Sequence, residues 1–260
     1  MPGHPDAPAA SPPEPPAESW LGGRLRLRQP ARGGHRAGTD AVLLAAAAGP
    51  LTDGTIYDLG AGTGAAGLAA CLDRPGCRLV LVERDPEAAT LARANLVLNG
   101  LAGRGRVIEA DLLAPGRERR ERGLLPEAAD LVLTNPPFFE AGRHRASPVA
   151  AKASAHTFAP GGLDGWLRAC ADVLRPRGRL VLIHRADALP DCLAGLKGRF
   201  GGIRVRPVQP RAEAPAARVV IAAAKGSRGG FALEPPLVLH GPDGRFTAQA
   251  EALHRGVFSR

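Results

Sequence analysis

Three features of the sequence predict an α/β fold, built on an open, mostly parallel sheet with helices on both faces. From Thr55 onward, short apolar runs alternate with helical segments, the pattern of a sheet whose strands are covered on both sides. The first run ends in Asp58-Leu59-Gly60-Ala61-Gly62-Thr63-Gly64, where glycines let a ligand approach the backbone as a strand turns into a helix. Polar groups at four successive strand ends, Asp58, Glu83, Asp111 and Asn135, then mark the carboxyl edge, where open α/β sheets bind ligands.

The chain has 260 residues, 45% of them hydrophobic, enough to fill one substantial core. No apolar run approaches the ~20 residues of a membrane span. The N-terminus lacks a basic region followed by an apolar core, so it does not read as a signal peptide, and a soluble, cytoplasmic protein is expected. Cys71, Cys77, Cys170 and Cys192 form no C-x-x-C pair and have no His at ligand spacing; free thiols are expected, with no metal. The net charge of +9 favours a polyanionic partner, because clustered cations release the counterions condensed on phosphates.

Taken in order, residues 1–19 are Pro-rich without apolar periodicity and read as a disordered tail. Residues 20–260 read as a single domain: an extension over 20–50, a core over 51–226 and an appendage over 227–260. In Trp20 to Gln29, leucines alternate with Arg24, Arg26 and Arg28, the period of a half-exposed strand or hairpin. Ala41 to Ala48 is a helix, with Thr39 or Asp40 as its N-cap and Gly49-Pro50 as its stop. Strands follow at Thr55 to Leu59 and Arg78 to Val82, separated by a helix over Ala65 to Leu72. The helix from Pro86 to Asn99 is bounded by Asp85 as N-cap, Pro86 at its first position and Gly100 at its end.

Arg106 to Glu109, Ala129 to Leu133 and Arg179 to His184 are the next strands. Before the last of these, Leu163, Trp166, Leu167, Cys170 and Leu174 recur at spacings of three and four, one apolar face of a helix. A helix over about Ala188 to Phe200 and two strands, Ile203 to Val208 and Arg218 to Ala223, complete the core. Beyond it, Gly241-Pro242-Asp243-Gly244 between two short apolar runs signals a hairpin, followed by a short helix through Leu253.

The glycine loop also satisfies the looser dinucleotide fingerprint, with Glu83 near the position of a ribose-binding acid. Asp58 favours a different cofactor. A carboxylate beside the loop repels a pyrophosphate but suits the ammonium and sulfonium of S-adenosyl-L-methionine. Glu83 can accept from ribose hydroxyls and Asp111 from an adenine amino group. The candidate cofactor-binding residues are Asp58, Gly60, Ala61, Gly62, Gly64, Glu83, Arg84, Asp111, Leu112 and Asn135, with Thr39 and Asp40 bordering the pocket.

After the strand ending at Leu133 comes Thr134-Asn135-Pro136-Pro137-Phe138-Phe139. Two prolines fix φ and remove two backbone N–H groups, leaving an acceptor-rich corner. With the Asn135 side-chain oxygen and the ring of Phe138, that corner suits a planar group carrying an NH2. Asn135, Pro136, Pro137 and Phe138 are the candidate catalytic residues. The loop from Phe139 to Gly162 carries Arg143, His144, Arg145, Lys152 and His156 and reads as a target-recognition segment. Arg24, Arg26, Arg28, Arg32, Arg36, Arg143, Arg145 and Lys152 are the candidate RNA contacts.

Asp58 through Gly64 with Asn135-Pro136-Pro137-Phe138 resemble the motifs of class I S-adenosylmethionine-dependent methyltransferases that modify exocyclic or amide nitrogens. Gly38-Thr39-Asp40-Ala41-Val42-Leu43-Leu44 and the terminal Gly241-Pro242-Asp243-Gly244-Arg245-Phe246-Thr247 narrow the resemblance to bacterial tRNA adenine N6-methyltransferases acting beside the anticodon of a valine tRNA. It implies a Rossmann-like sheet of seven strands, the last antiparallel, S-adenosyl-L-methionine as cofactor, no metal, and a tRNA adenine flipped into the pocket. Guanine N2 in ribosomal RNA and a protein glutamine amide stay open as alternative targets. Outside this enzyme class, a basic RNA-binding protein with a vestigial cofactor pocket is a non-enzyme reading that fits the charge, and a nicotinamide oxidoreductase is another enzyme class that fits the glycines alone. The sequence leaves the oligomeric state open, monomer or weak dimer.

Overall fold

The computed structural model describes residues 15–30, 37–137 and 162–258. Phe138, Phe139, Arg32, Arg36 and the charged loop with Arg143, His144, Arg145, Lys152 and His156 lie outside the described residues. Strands β1 (Ala17–Trp20) and β2 (Leu25–Arg28) form an antiparallel hairpin. Ala17 to Ser19 thus belong to a strand, although composition assigns them to the tail: pairing to β2 supplies the backbone partners that local sequence does not signal.

The core elements follow as α1 (Thr39–Ala46), β3 (Asp53–Leu59), α2 (Ala65–Leu72), β4 (Gly76–Glu83), α3 (Pro86–Leu98), β5 (Gly105–Glu109), α4 (Gly116–Glu121) and β6 (Ala129–Thr134). Then come α5 (Gly162–Val173), β7 (Leu174–Arg185), α6 (Leu189–Leu196), β8 (Phe200–Gln209), β9 (Arg218–Lys225), β10 (Ala232–Leu233), β11 (Leu237–Val238) and α7 (Ala248–His254). The N-cap of α1 is Gly38, not Thr39 or Asp40, whose side chains are engaged elsewhere. Asp85 caps α3 as expected, accepting from the amides of Glu87 and Ala88.

The main sheet has the order β10-β8-β9-β7-β6-β3-β4-β5, with β11 also on β8. Seven of its strands match the expected set, and β9, the last of them in sequence, is antiparallel to both neighbours. The other two, β10 and β11, pair in parallel with the outer edge of β8 and bring the count to nine. The expected C-terminal hairpin is present in short form: the Gly241–Gly244 turn is closed by an antiparallel bridge between His240 and Phe246 and by the amides of Gly241 and Thr247 donating to the carbonyls of Arg245 and Leu239, while Leu237–Val238 just before it pair with β8. The free edge of β8 competes successfully for backbone partners that a lone two-stranded ribbon would hold only marginally.

Alternation along the strands sorts the core into two layers. Ile56, Leu131, Leu133, Val181 and Ile183 pack beneath α1, α2 and α3. Tyr57, Leu59, Val132, Leu180 and Leu182 pack beneath α5 and α6. All four cysteines are buried and unpaired. Among the described residues, no helix is long and apolar enough to cross a membrane.

Candidate active site

β3 is hydrogen-bonded to β4 on one side and β6 on the other, so the chain winds outward in both directions from the β3–β6 seam. Such a reversal opens a crevice at the carboxyl ends of the two strands. Register holds those ends level, with Leu59 opposite Thr134. The glycine loop leaves β3 and Asn135-Pro136-Pro137 leaves β6 at the same height.

The loop is shaped by positive φ at Gly60 (76°) and Gly62 (55°). The amides of Gly60 and Ala61 both donate to the Val82 carbonyl, at 2.9 and 3.0 Å. Gly60 lies against the Trp166 ring, where a Cβ would fall 2.8 Å from Cζ2. Gly62 differs: a Cβ there would meet nothing within 4 Å. The middle glycine therefore presents bare backbone to open space, the feature a ligand cradle requires. Gly64 starts α2, its amide donating to the Ala61 carbonyl at 2.8 Å.

The acids surround this loop in distinct states. Glu83 Oε2 accepts from the Gly62 amide at 2.8 Å, while Oε1 accepts from the amides of Arg84 and Asp85. Its carboxylate fixes the loop's height and remains part of the crevice wall. Asp58 is buried, and Oδ2 accepts from the Gly67 amide of α2 at 2.7 Å. Burial pushes the Asp58 carboxyl up to about 7, opposed by the Gly67 hydrogen bond and reinforced by the Glu83 charge. Asp111 is more exposed; its Oδ1 accepts from Leu113 N, and Arg84 stands 3.7 Å from Oδ2. Leu112 is buried in the core layer under α5, so its side chain packs the floor.

Across the seam, Asn135 is half-buried, and among the described residues nothing hydrogen-bonds to its side-chain amide. The residue before it is fully engaged. Thr134 Oγ1 donates to the Leu59 carbonyl at 2.7 Å and accepts from Trp166 Nε1 at 2.8 Å. One buried hydroxyl thereby ties the end of β3, the end of β6 and α5 together immediately behind the two loops.

Thr134 and Trp166 were absent from the sequence-derived candidates. A Thr directly before Asn-Pro-Pro was the available signal; nothing in the sequence pairs it with a Trp 32 residues away.

Asn95 was missed as well. It is fully buried on α3, and its amide donates to the carbonyls of Arg28 (3.0 Å) and Thr63 (2.9 Å) while accepting from Arg28 N (2.7 Å). Asn99, one turn on, pairs with both backbone groups of Arg26. Two Asn residues four apart, poor helix formers on one face, were the legible clue.

Other expected residues stand apart from the crevice or serve it indirectly. Thr39 Oγ1 lies 3.2 Å from His254 Nε2, and Asp40 pairs with Arg218 at 3.0 Å, so both side chains brace α1. Arg24 is bonded to Asp73, the residue closing the far end of α2, and to the Gly256 carbonyl. That places it at the sheet edge opposite the site. Arg26 and Arg28 are held through their backbones by Asn99 and Asn95, with Arg28 nearer the glycine loop. Among the described residues, no group of three or more His, Cys, Asp or Glu side chains is placed to hold a metal ion.

A doubly wound sheet whose seam joins a glycine cradle ringed by carboxylates to an Asn-Pro-Pro corner defines a cofactor-dependent group-transfer enzyme. Residues 36–206 match the model of the methyltransferase small domain, and the chain belongs to that family.

Among its relatives is a protein of Porphyromonas gingivalis named tRNA1(Val) (adenine(37)-N6)-methyltransferase. It is 34% identical over 160 residues, 60% of this chain and 61% of that protein, so the match spans about three fifths of that relative's length. A protein of the same name from Aeromonas hydrophila is 30% identical over 218 residues, 82% and 85% of the two chains. A release factor glutamine methyltransferase of Mycolicibacterium smegmatis is 39% identical over 116 residues, 44% of this chain and 37% of that one. A solved structure of a predicted O-methyltransferase from Agrobacterium tumefaciens superposes with a TM-score of 0.72 at 31% identity, covering 85% of this chain and 98% of that one. The chain thus carries a methyltransferase domain, whose cofactor is S-adenosyl-L-methionine. The open face of Gly62 and the carboxylates of Asp58, Glu83 and Asp111 fit that molecule's cationic and hydroxyl groups.

Proposed function

We propose that the chain methylates N6 of an adenine in tRNA, next to the anticodon of a valine tRNA. The observation that carries this reading is the position of Asn135: its amide, unengaged by the described residues, stands at the crevice mouth level with the glycine loop. Similarity to the Porphyromonas and Aeromonas proteins supports the choice of substrate.

When bound, S-adenosyl-L-methionine supplies an electrophilic methyl that passes from sulfur to the attacking nitrogen. The protein's part is to make a poor nucleophile competent. The lone pair of an exocyclic amine is delocalised into its ring. Acceptance of its two hydrogens by Asn135 Oδ1 and the Pro136 carbonyl favours a pyramidal nitrogen and directs the lone pair at the methyl. Phe138 holds the base by stacking, worth roughly 1–3 kcal/mol. Thr134, locked to Leu59 and Trp166, keeps that corner at fixed height against the cofactor loop. The methylated amine is acidic and gives up its extra proton to water.

Incubating the protein with labelled cofactor and total tRNA, followed by nucleoside mass spectrometry, tests the reading. N6-methyladenosine is the expected product, and Asn135→Ala should lower its rate about 100-fold or more at saturating cofactor. Undiminished product from Asn135→Ala would overturn the mechanism. The Mycolicibacterium relative favours a second reading, a protein glutamine amide, which also offers two hydrogens on a planar nitrogen. A release factor added as substrate distinguishes the two.

A further inference from the structure

Arg185 ends β7 and Arg218 opens β9, and the two are direct cross-strand partners in the antiparallel pair. Such partners project from the same face, so two guanidinium groups emerge together at the carboxyl edge, an arrangement that is unfavourable for like charges. Separate carboxylates meet them. Asp187 accepts from Arg185 Nε at 2.9 Å, and Asp40 on α1 accepts from Arg218 Nε at 3.0 Å. Just beyond this pair the Ala186 amide donates to the Ala217 carbonyl, and Ala216 and Ala217 with Arg185, Asp187 and Arg218 line an open cleft of about 500 Å³.

The cleft shares its face and edge with Asn135. Leu131 and Leu133 on β6, like Val181 and Ile183 on β7, pack beneath α1 and α2. Continuing the alternation puts Asn135 and Arg185 on that same side. Thr134 pairs with Leu182, so Asn135 is level with Ile183 and Arg185 lies two residues farther out, ~6–7 Å along the strand. A group beside Asn135 and a group in the cleft are therefore related as a base is to the backbone that carries it.

We propose that this cleft receives an RNA backbone phosphate next to the flipped nucleotide, with Arg185 and Arg218 donating to its oxygens. The proposal rests on the tRNA reading above. Guanidinium forks match phosphate oxygens in geometry as well as charge. The two arms differ in freedom. The Arg185–Asp187 pair is exposed, 46% and 62%, and an exposed ion pair exchanges partners at little cost. The Arg218–Asp40 pair is more sheltered, 32% and 26%, and is anchored to the start of α1. Arg218 is the fixed arm and Arg185 the one that turns from Asp187 to the phosphate.

The test measures tRNA affinity over a series of salt concentrations, with cofactor affinity measured alongside, for Arg185→Gln and Asp187→Asn. Arg185→Gln should weaken tRNA binding about tenfold at moderate salt and reduce the slope of log K against log salt by roughly 0.7–0.9, one phosphate contact. Cofactor affinity should stay within about twofold. Asp187→Asn should tighten tRNA binding, because it removes the competing carboxylate; a merely structural Arg185–Asp187 pair would give no tightening. An unchanged slope in Arg185→Gln, or tRNA binding in Asp187→Asn that fails to tighten, overturns the proposal. Methylation of tRNA by the unmodified protein reports separately on the underlying reading, since it survives if the cleft is wrong and fails if the substrate is wrong.

Discussion

At the scale of single residues, the site depends on which groups are desolvated. Asp58 is held by the Gly67 amide inside the core, and burial raises its carboxyl to about 7 from an ordinary 3.8. Between those values the folded chain retains a proton that the unfolded chain has released. Stability of the cofactor-free protein should therefore fall as pH rises through that window, and Asp58→Asn should flatten the profile, as read by thermal melts. A cationic amine docked nearby favours the ionised form. Cofactor binding at about pH 6 should then release a proton, seen as calorimetric heat that depends on buffer ionisation enthalpy. Binding heat independent of the buffer would sink the assignment of Asp58 to the cofactor's cationic end.

Among the elements, the decisive contact is between the N-terminal hairpin and α3. β2 has one edge on β1; its other edge presents the N–H and C=O of Arg26 and Arg28, and Asn99 and Asn95 satisfy them as a neighbouring strand would. Asn95 reaches on to the Thr63 carbonyl, so the hairpin and the glycine loop share one buried amide. Asn95→Leu leaves three backbone groups without that partner, each costing about 1–3 kcal/mol, and should lower stability by on the order of 3 kcal/mol or more while weakening cofactor binding. Asn99→Ala, at the exposed end of the same face, should cost about 1 kcal/mol and leave cofactor affinity unchanged. Chemical denaturation and cofactor titration of both variants check this; equal effects of the two on cofactor binding would contradict a link through Thr63.

Across the whole molecule, the net charge of +9 is distributed less uniformly than its Arg clusters suggest. Arg204 and Arg206 both pair with Glu234, at 2.6 and 2.7 Å, and Arg119 pairs with Asp172 at 3.2 Å. Arg204 and Arg206 lie on β8, separated from β6 by β9 and β7, and Arg119 is only 12% exposed, so they add little to the field beside Asn135. Converting Arg204 and Arg206 together to Gln should leave the salt dependence of tRNA binding unchanged, in contrast to Arg185→Gln. Filter binding at several salt concentrations separates the two cases, and a flattened slope in the double variant would make Arg204 and Arg206 RNA contacts.

Much of the scaffold was legible before folding was considered. Periodicity located β3, α2, β4, α3, β6 and α5 to within a few residues, because their apolar spacing and caps are local signals. Short elements were not. α4, made of Gly116–Glu121, has no apolar stripe and is held to the fold through Arg119, which pairs with Asp172 and donates to the Leu112 carbonyl. The two residues of β11 take their state from the edge of β8. The site divides in the same way: the glycine loop, its acids and the Asn-Pro-Pro corner announce their chemistry by residue type and order.

The sequence by itself determined the layered α/β architecture and the chemical character of the two loops, since both follow from patterns read over a few consecutive residues. Tertiary structure alone decided that Thr134 and Trp166 lock the loops together, that Asn95 carries the hairpin to the glycine loop, that Thr39 and Asp40 brace a helix, and that Arg185 faces Arg218. The physical reason is common to all four. Each depends on register and packing between segments far apart in the chain, and those are settled by which buried surfaces and unpaired backbone groups find partners when the whole sheet assembles.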